Sequence, residues 1–578
     1  MKKHLLERRQ LLKAGVATFA AALPGWGSMR ASESELLGFA AVPVSTADNI
    51  VVPPGYRAQV LYRWGDPVGI AGAQPEFRFD GSDSAAEQEL QAGMHHDAVE
   101  LFPLSSGGAL LAINHEYTDD GLLHVDGMKT WTAEKVRKAQ AAMGVSIVEV
   151  ALAGNNWRVV RPSKYARRIT AYTPMRMSGP AANHAAVGVE AFGTINNCAG
   201  GRTPWGTYLT CEENFNGYFV NAGTIPPEQR RYGITARGAG YRWHEFDVRF
   251  DARANPTEPN RFGWVVEIDP YDAAAIPVKR TALGRFKHEA AMVVPTDDNR
   301  VVVYMGDDER FEYVYKFVSS RRFDPRDRAA NRDVLDEGTL YVARFDAGGH
   351  GVWLPLPKTA EALVMTRQAA DAAGATKMDR PEWIAVHPRT QDVYLALTNN
   401  DRRGTQGQPA ADPSNPRANN VYGHIVKWRE QGGDPTSLKF RWDVFALAGE
   451  DRGFGSPDGL AFDQRGVLWI QTDVSTSILN KGPYAKIGHN QMLAADVTSG
   501  EIRRFLTGPA ACEITGVTAS PDNTTLFINV QHPGETASER SDPENPRAIS
   551  NWPDQRSDGR PRSATVAIRR EDGGPIGT

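Results

Sequence analysis

The sequence predicts an all-β fold, a six-bladed β-propeller with long insertions between the blades. Three observations carry that reading. One short grammar recurs six times: an acidic residue, an apolar run, a turn rich in Pro, Asp, Asn or Gly, then a second run with a polar end. Paired runs around such turns read as β-hairpins. The copies extend from His95 to Pro533, with strand-bearing stretches between them. The chain, 578 residues with 41% hydrophobic side chains, suits one large repeat architecture with a sizeable core. Radial packing of such sheets leaves few open edges. Ordinary hairpins in a generic all-β protein are the plainer alternative. The irregular spacing sets these copies apart from standard WD-type blades.

The copies follow in order. HHDAVELFPLSSGGALLAINHEY starts at His95. The second lies in GTINNCAGGRTPWGTYLTCEEN, with GTINN and TYLTCEEN as strands and CAGGRTPWG, holding a Gly-Gly turn, as the connection. HEAAMVVPTDDNRVVVYMGDDER starts at His288, PEWIAVHPRTQDVYLALTNND at Pro381, PDGLAFDQRGVLWIQTD at Pro457 and CEITGVTASPDNTTLFINVQHP at Cys512.

Residues 1–31 differ from the rest. They begin basic, turn apolar from Leu11 to Leu23 and reach small residues near Ala31, the anatomy of a cleaved export signal. Arg8-Arg9 before Gln10-Leu11-Leu12-Lys13 is similar to a twin-arginine signal, although Glu7 and Leu11 depart from its usual residues. A general secretory signal is the alternative. The expected protein is therefore periplasmic or secreted, handled by the twin-arginine machinery, with residues 32–578 forming one catalytic domain. No internal run of about 18 apolar residues suggests a membrane span. Basic and acidic residues nearly balance, 65 against 69, which argues against a nucleic-acid-binding role.

The acids carry the functional argument. Asp97, Glu289, Glu382, Asp458 and Glu513 stand where first strands start. Glu116, Glu212, Glu213, Asp307, Asp308, Glu309, Asp401 and Asp473 stand where second strands end. An antiparallel hairpin brings its start and end to one edge. In a propeller those edges converge around the central channel. Carboxylates gathered there repel one another and raise each other's pKa unless cations neutralise them. Hard oxygen ligands suit calcium, and a thiolate among carboxylates suits iron. The bland alternative is a set of solvated turn residues.

Three cysteines, Cys198, Cys211 and Cys512, cannot all pair internally. Cys198 is either a metal ligand or half of a disulfide with Cys211. Alternation in TYLTCEEN puts Cys211 with Leu209 on one face, as a small core residue, and leaves open which of Glu212 and Glu213 faces the channel. One or two of Asp307, Asp308 and Glu309 point inward. Pro381 favours an extended Arg380, whose guanidinium could grip a phosphate or pair with Asp379. His95, His96, His115, His288 and His532 sit near the acids, as bystanders or as partners orienting carboxylates. No phosphate-binding GxxxxGK[ST] loop and no GxSxG elbow is present.

These motifs resemble the PhoX-type alkaline phosphatase family. The resemblance rests on NNCAGGRTPWGTYLTCEENFNGYF, GRFKHEAA, DRPEWIAVHP, GSPDGLAF, CEITGVTASPD and NVQHPGE, which span most of the mature chain. It implies an exported monomer with a six-bladed propeller, hydrolysing small-molecule phosphomonoesters. It also implies two ferric ions bridged by an oxygen, with two or three calcium ions. Cys198 then corresponds to an iron ligand, Glu289 and Glu382 to metal ligands, and Arg380 to a phosphate contact. The wider expected metal set is Cys198, Glu116, Glu212, Glu213, Glu289, Asp307, Asp308, Glu309, Glu382, Asp458 and Glu513, with Cys198 and Arg380 as the catalytic pair. The segment from Gly179 to Cys198 is shorter than is usual in the family. Two other readings stay open: a calcium-dependent propeller hydrolase such as a lactonase or phosphotriesterase, and a calcium-binding propeller without catalysis.

Overall fold

The six expected hairpins all form. Their first strands are His96–Pro103, Asn197–Arg202, His288–Pro295, Pro381–Val386, Pro457–Phe462 and Glu513–Ala519. Each pairs antiparallel with its second strand: Ala109–His115, Tyr208–Glu212, Val301–Asp307, Val393–Leu397, Val467–Thr472 and Thr525–Gln531. Second strands such as ALLAINH and VYLAL are mostly apolar and buried along their whole length. That composition fits strands covered on both faces.

The structure is a computed structural model that describes residues 36–537 and 540–578; the expected export signal at 1–31 lies outside the described residues. Among these residues, 28 strands form five sheets, and the longest α-helix, Ala133–Ala141, has nine residues. Four of the sheets carry one hairpin each. The third and fourth hairpins stand at the two ends of one nine-stranded sheet. The sixth hairpin continues through Ala564–Arg570 to Tyr56–Arg63, so a strand from near the described start closes a sheet built from the other end. The Tyr56 hydroxyl adds a hydrogen bond to the Thr578 carbonyl, 2.9 Å. No helix among the described residues is long and apolar enough to cross a membrane.

Each first strand packs against the first strand of the next hairpin, and the sixth packs against the first. This closed sequence of neighbours positions the site, because it brings six strand starts to one end.

One expectation needs correction. Residues 193–196 of GTINN do not form a strand. The first strand of the second hairpin is Asn197–Arg202, so the supposed Gly-Gly turn lies inside it. Close packing explains this. A Cβ on Gly200 would sit 2.8 Å from the Leu209 carbonyl oxygen, and one on Gly201 would run into the Ala291 carbonyl of the third hairpin. Backbone meets backbone there, and only glycine fits. Gly201→Ala is accordingly expected to cost about 1–3 kcal/mol in denaturant unfolding; a variant as stable as the parent would show that the strands can part without loss.

Cys211 is fully buried in the core formed with Leu209, Val265 and Met305. All three cysteines are free, so the Cys198–Cys211 disulfide does not form.

Candidate metal centre

The site begins with a repeated backbone device. His95, Asn196, Arg380, Ser456 and Ala511 all have positive φ, from 49° to 58°. Such a conformation costs a non-glycine residue about 1–3 kcal/mol and persists only where the surroundings enforce it. The carbonyls of His95, Asn196, Lys287, Arg380 and Ser456 accept hydrogen bonds from the backbone N–H of Glu116, Glu213, Asp308, Thr398 and Asp473, at 2.9–3.2 Å. Arg380 is therefore left-handed rather than extended. The closure of the hairpin decides its conformation, against the local preference set by Pro381.

Two residues after these positions stand Asp97, Cys198, Glu289, Glu382, Asp458 and Glu513. They occupy equivalent places in the six hairpins, with one thiol where the other five have carboxylates. Comparing the six copies in register was the signal that could have singled out Cys198 from the residues alone. Opposite them, at the second-strand ends, come Glu116, Glu213, Asp308, Thr398 and Asp473.

Among the described residues, four groups have ligand atoms within 4.8 Å of one another: Asp97–Glu116–Cys198, Cys198–Glu213–Glu289, Glu289–Glu382–Asp458 and Asp473–Glu513–His532. Cys198 and Glu289 each belong to two groups, so the first three are continuous. The Cys198 thiol donates to Glu289 Oε1 at 3.1 Å. Asn196 Nδ2 donates to Glu116 Oε1 at 2.9 Å.

The charges are out of balance. Burial pushes Asp97 up to about 6. Burial first, then repulsion from neighbouring acids, holds Glu116, Glu213, Glu289, Glu382, Asp458 and Glu513 well above the usual carboxylate range. Burial and then the charges of Asp97 and Glu289 raise the Cys198 thiol in the same way. Glu289 Oε2, Asp308 Oδ1 and Asp458 Oδ1 are buried with no hydrogen-bond partner among the described residues. Buried, unpartnered carboxylate oxygens are costly. Multivalent cations would supply the missing partners and hold the acids and the thiol ionised. The donor set fits such ions: hard oxygens throughout, one thiol and the ring nitrogens of His532.

Arg380 is a cation aimed at the cluster. Its Nη2 lies 2.5 Å from Asp308 Oδ2 and 3.1 Å from Glu382 Oε1. Asp379 does not pair with it. That carboxylate is fully buried and accepts from Arg403 Nε at 2.5 Å, Asn400 Nδ2 at 2.9 Å and Asn420 Nδ2 at 3.0 Å. The Asp379 network thus ties down the backbone that presents Arg380.

The structure sets three of the expected acids behind the cluster. Glu212 accepts from Lys279 Nζ at 2.7 Å and from the N–H groups of Gly263 and Trp264. Asp307 accepts from Arg367 Nε at 2.8 Å. Both lie one residue before the inward positions, paired with Asn197 and His288, so strand alternation turns them away. Glu309 pairs with Lys287 at 2.8 Å near the surface. Asp401 is exposed and bonded to Arg310 at 3.0 Å. Asp97, Asp473 and His532 join the groups, although they are absent from the set expected as ligands. His96 and His288 are pushed down to about 3 by burial and stay neutral, bonded to Thr565 Oγ1 and the Gly284 carbonyl.

The family model described as Alkaline phosphatase PhoX matches residues 37–534. The structure of Pseudomonas fluorescens PhoX in complex with vanadate, a transition state analogue, is 47% identical, covers 94% of this chain and 99% of its own, and has a TM-score of 0.89. A Dyadobacter fermentans protein of unknown function is 10% identical over 90% of this chain and 100% of its own, with a TM-score of 0.35. Regucalcin from Agrobacterium tumefaciens, a calcium-binding protein, is 11% identical over 53% of this chain and 84% of its own, with a TM-score of 0.23. These last two likenesses carry no argument about this chain. No curated protein matches it. The match across most of the chain and the likeness to a solved PhoX place this protein in the PhoX alkaline phosphatase family, the phosphoric monoester hydrolases of all-β fold.

Proposed function

We propose that this protein is an exported monomer that hydrolyses small-molecule phosphomonoesters at a mixed iron and calcium centre in the channel of a six-bladed β-propeller. One observation carries the reading: a continuous cluster of buried acids and one thiol, with partnerless oxygens, faces a single half-buried arginine. The closed succession of six first strands supports the propeller. The N-terminal sequence supports export by the twin-arginine route.

Cys198, Glu289 and Glu382 would hold two ferric ions. Asp97, Glu116, Glu213, Asp458, Asp473 and Glu513 would hold two or three calcium ions. When bound, such ions neutralise the charge of a transferring phosphoryl group and polarise its oxygens. The protein supplies the rest. Arg380 offers parallel N–H donors to phosphate oxygens, in place of its bonds to Asp308 and Glu382. Asn196 orients the Glu116 carboxylate through its amide nitrogen. The Asp379 network keeps the Arg380 backbone from swinging away.

The test is metal content together with para-nitrophenyl phosphate turnover of the purified folded protein. Iron, calcium and alkaline hydrolysis are expected. Protein without iron and without turnover in calcium-containing buffer would favour a non-catalytic calcium-binding propeller. Arg380→Ala is expected to raise the inhibition constant for inorganic phosphate about 10- to 100-fold, the worth of a charged hydrogen-bonded contact, with metal content near that of the parent. Unchanged inhibition would remove Arg380 from phosphate binding.

A further inference from the structure

We infer that Lys287 is a second phosphate-binding cation, which forms a two-pronged clamp with Arg380, and that Glu309 holds its ammonium until a substrate phosphate takes the place of that carboxylate. The inference rests on the proposed phosphate contact of Arg380 and adds a further residue to substrate binding.

The two cations occupy equivalent positions in neighbouring hairpins. Lys287 stands two residues before Glu289, and Arg380 two residues before Glu382. The carbonyl of each closes its own hairpin, accepting from the N–H of Asp308 and of Thr398. The first strands that follow, His288–Pro295 and Pro381–Val386, pack against each other. A buried Asp–Arg pair stands behind each cation. Asp379, the residue before Arg380, accepts from Arg403. Asp307 accepts from the Lys287 backbone N–H at 3.3 Å and from Arg367 Nε at 2.8 Å. The Lys287 backbone is thus held from behind, as that of Arg380 is, and the side chain is the part left to move.

The two side chains converge on the same acids. Arg380 bonds Asp308 and Glu382, and Lys287 Nζ donates to Glu309 Oε2 at 2.8 Å, so the cations bracket the adjacent residues Asp308 and Glu309. Glu213, a member of the cluster, feels both. Burial and then the Asp308 charge push its carboxyl up, and the charges of Lys287 and Arg380 oppose them. Arg380 reaches acids that are buried, whereas the Glu309 side chain is 40% exposed, which puts Lys287 on the outer side of the clamp.

The Lys287 side chain is 8% exposed, yet among the described residues Glu309 is the one acceptor bonded to its ammonium. Two of its three N–H donors are left over. A phosphate ester offers several charged acceptor oxygens. Exchanging Glu309 for phosphate swaps one anion for another, so the ammonium is never stranded without a counter-charge. The flexible four-carbon stem permits the swing, and a compact ammonium suits a phosphate oxygen. The released Glu309, already part exposed, is solvated. Two cations also counter the repulsion that an anionic ester meets on approaching so many acids.

The experiment measures metal content, inhibition by inorganic phosphate, and KM and kcat for para-nitrophenyl phosphate on the metal-loaded parent, Lys287→Met, Lys287→Arg and Glu309→Gln. Lys287→Met is expected to raise the inhibition constant and KM about tenfold, the worth of a charged hydrogen bond, with metal content near that of the parent. Lys287→Arg should restore most of the loss. Glu309→Gln should act in the opposite direction and lower both constants about threefold, because a competing anion is gone. A purely structural ion pair would answer alike to the loss of either partner. Unchanged inhibition in Lys287→Met, or a Glu309→Gln shift that is absent or of the same sign, overturns the assignment. If Lys287→Met does not fold, the sign of the Glu309→Gln shift decides. If the parent hydrolyses nothing, the phosphatase reading fails separately, and the same comparison is made on phosphate dissociation constants measured calorimetrically. A metal-loaded parent that binds no phosphate overturns the clamp as well.

Discussion

Cys198→Ala is expected to lose the proposed iron and about a thousandfold in phosphomonoester turnover, while Cys211→Ala keeps most of both. The contrast follows from position. Cys198 bonds to Glu289, belongs to two ligand groups and stands where five sister hairpins carry carboxylates. A thousandfold corresponds to about 4 kcal/mol of transition-state stabilisation, within what a bound cation supplies. Cys211 lies in an apolar core, and its replacement removes one sulfur from packing. That loss is about 1–2 kcal/mol of stability, at the mild end for a buried side chain. Metal analysis, steady-state rates and thermal unfolding of both variants decide the matter. Equal tolerance of the two changes would take the thiol out of the centre. Cys198→Asp sharpens the test, since it keeps an anionic ligand at the same place and changes only its softness. It should retain calcium and recover stability, without restoring the iron content of the parent.

Stripping the cations should lower the melting temperature by roughly 10 °C, and by more at alkaline than at acidic pH. Each tightly held ion contributes about 4 kcal/mol when its concentration is a thousand times its dissociation constant. Several ions together outweigh the modest degrees-per-kcal slope of a large chain. The pH dependence follows from the direction of the shifts. Without ions the folded protein holds Asp97 up to about 6 and the other clustered acids well above the usual carboxylate range, by burial and repulsion. In the unfolded chain the same groups titrate near 4. Their contribution is then complete below about pH 4 and is lost as pH rises through the folded values. The stripped protein should unfold more readily at pH 9 than at pH 5, with the loaded protein much less affected. A chelator-treated protein with an unchanged melting temperature, or one stabilised by alkali, would contradict the cluster.

The hairpins were legible because strand and turn chemistry are local. Val301–Asp307 and Val393–Leu397 announce themselves by composition alone. Asn197–Arg202 does not, since Gly200 and Gly201 look like a turn until the third hairpin is laid against them. The acids split in the same way. Their recurrence was visible in the chain. Which member of each pair faces inward was not, because a one-residue step in register exchanges Glu212 for Glu213 and Asp307 for Asp308.

By itself the sequence determined that strands come in six acid-tipped pairs, that a thiol accompanies them, and that the motifs are those of a phosphatase family. Periodicity, turn residues and motif spacing are written along the chain and need no partner to be read. Only the tertiary structure decided that Asp97, Asp473 and His532 join the cluster, that Lys279, Arg367 and Lys287 claim Glu212, Asp307 and Glu309, and that Asp379 serves Arg403 rather than Arg380. Each of those outcomes depends on which charge lies nearest in space. Residues as far apart as Cys198 and Glu289, or Asp97 and Glu513, become neighbours only when the hairpins close around one another.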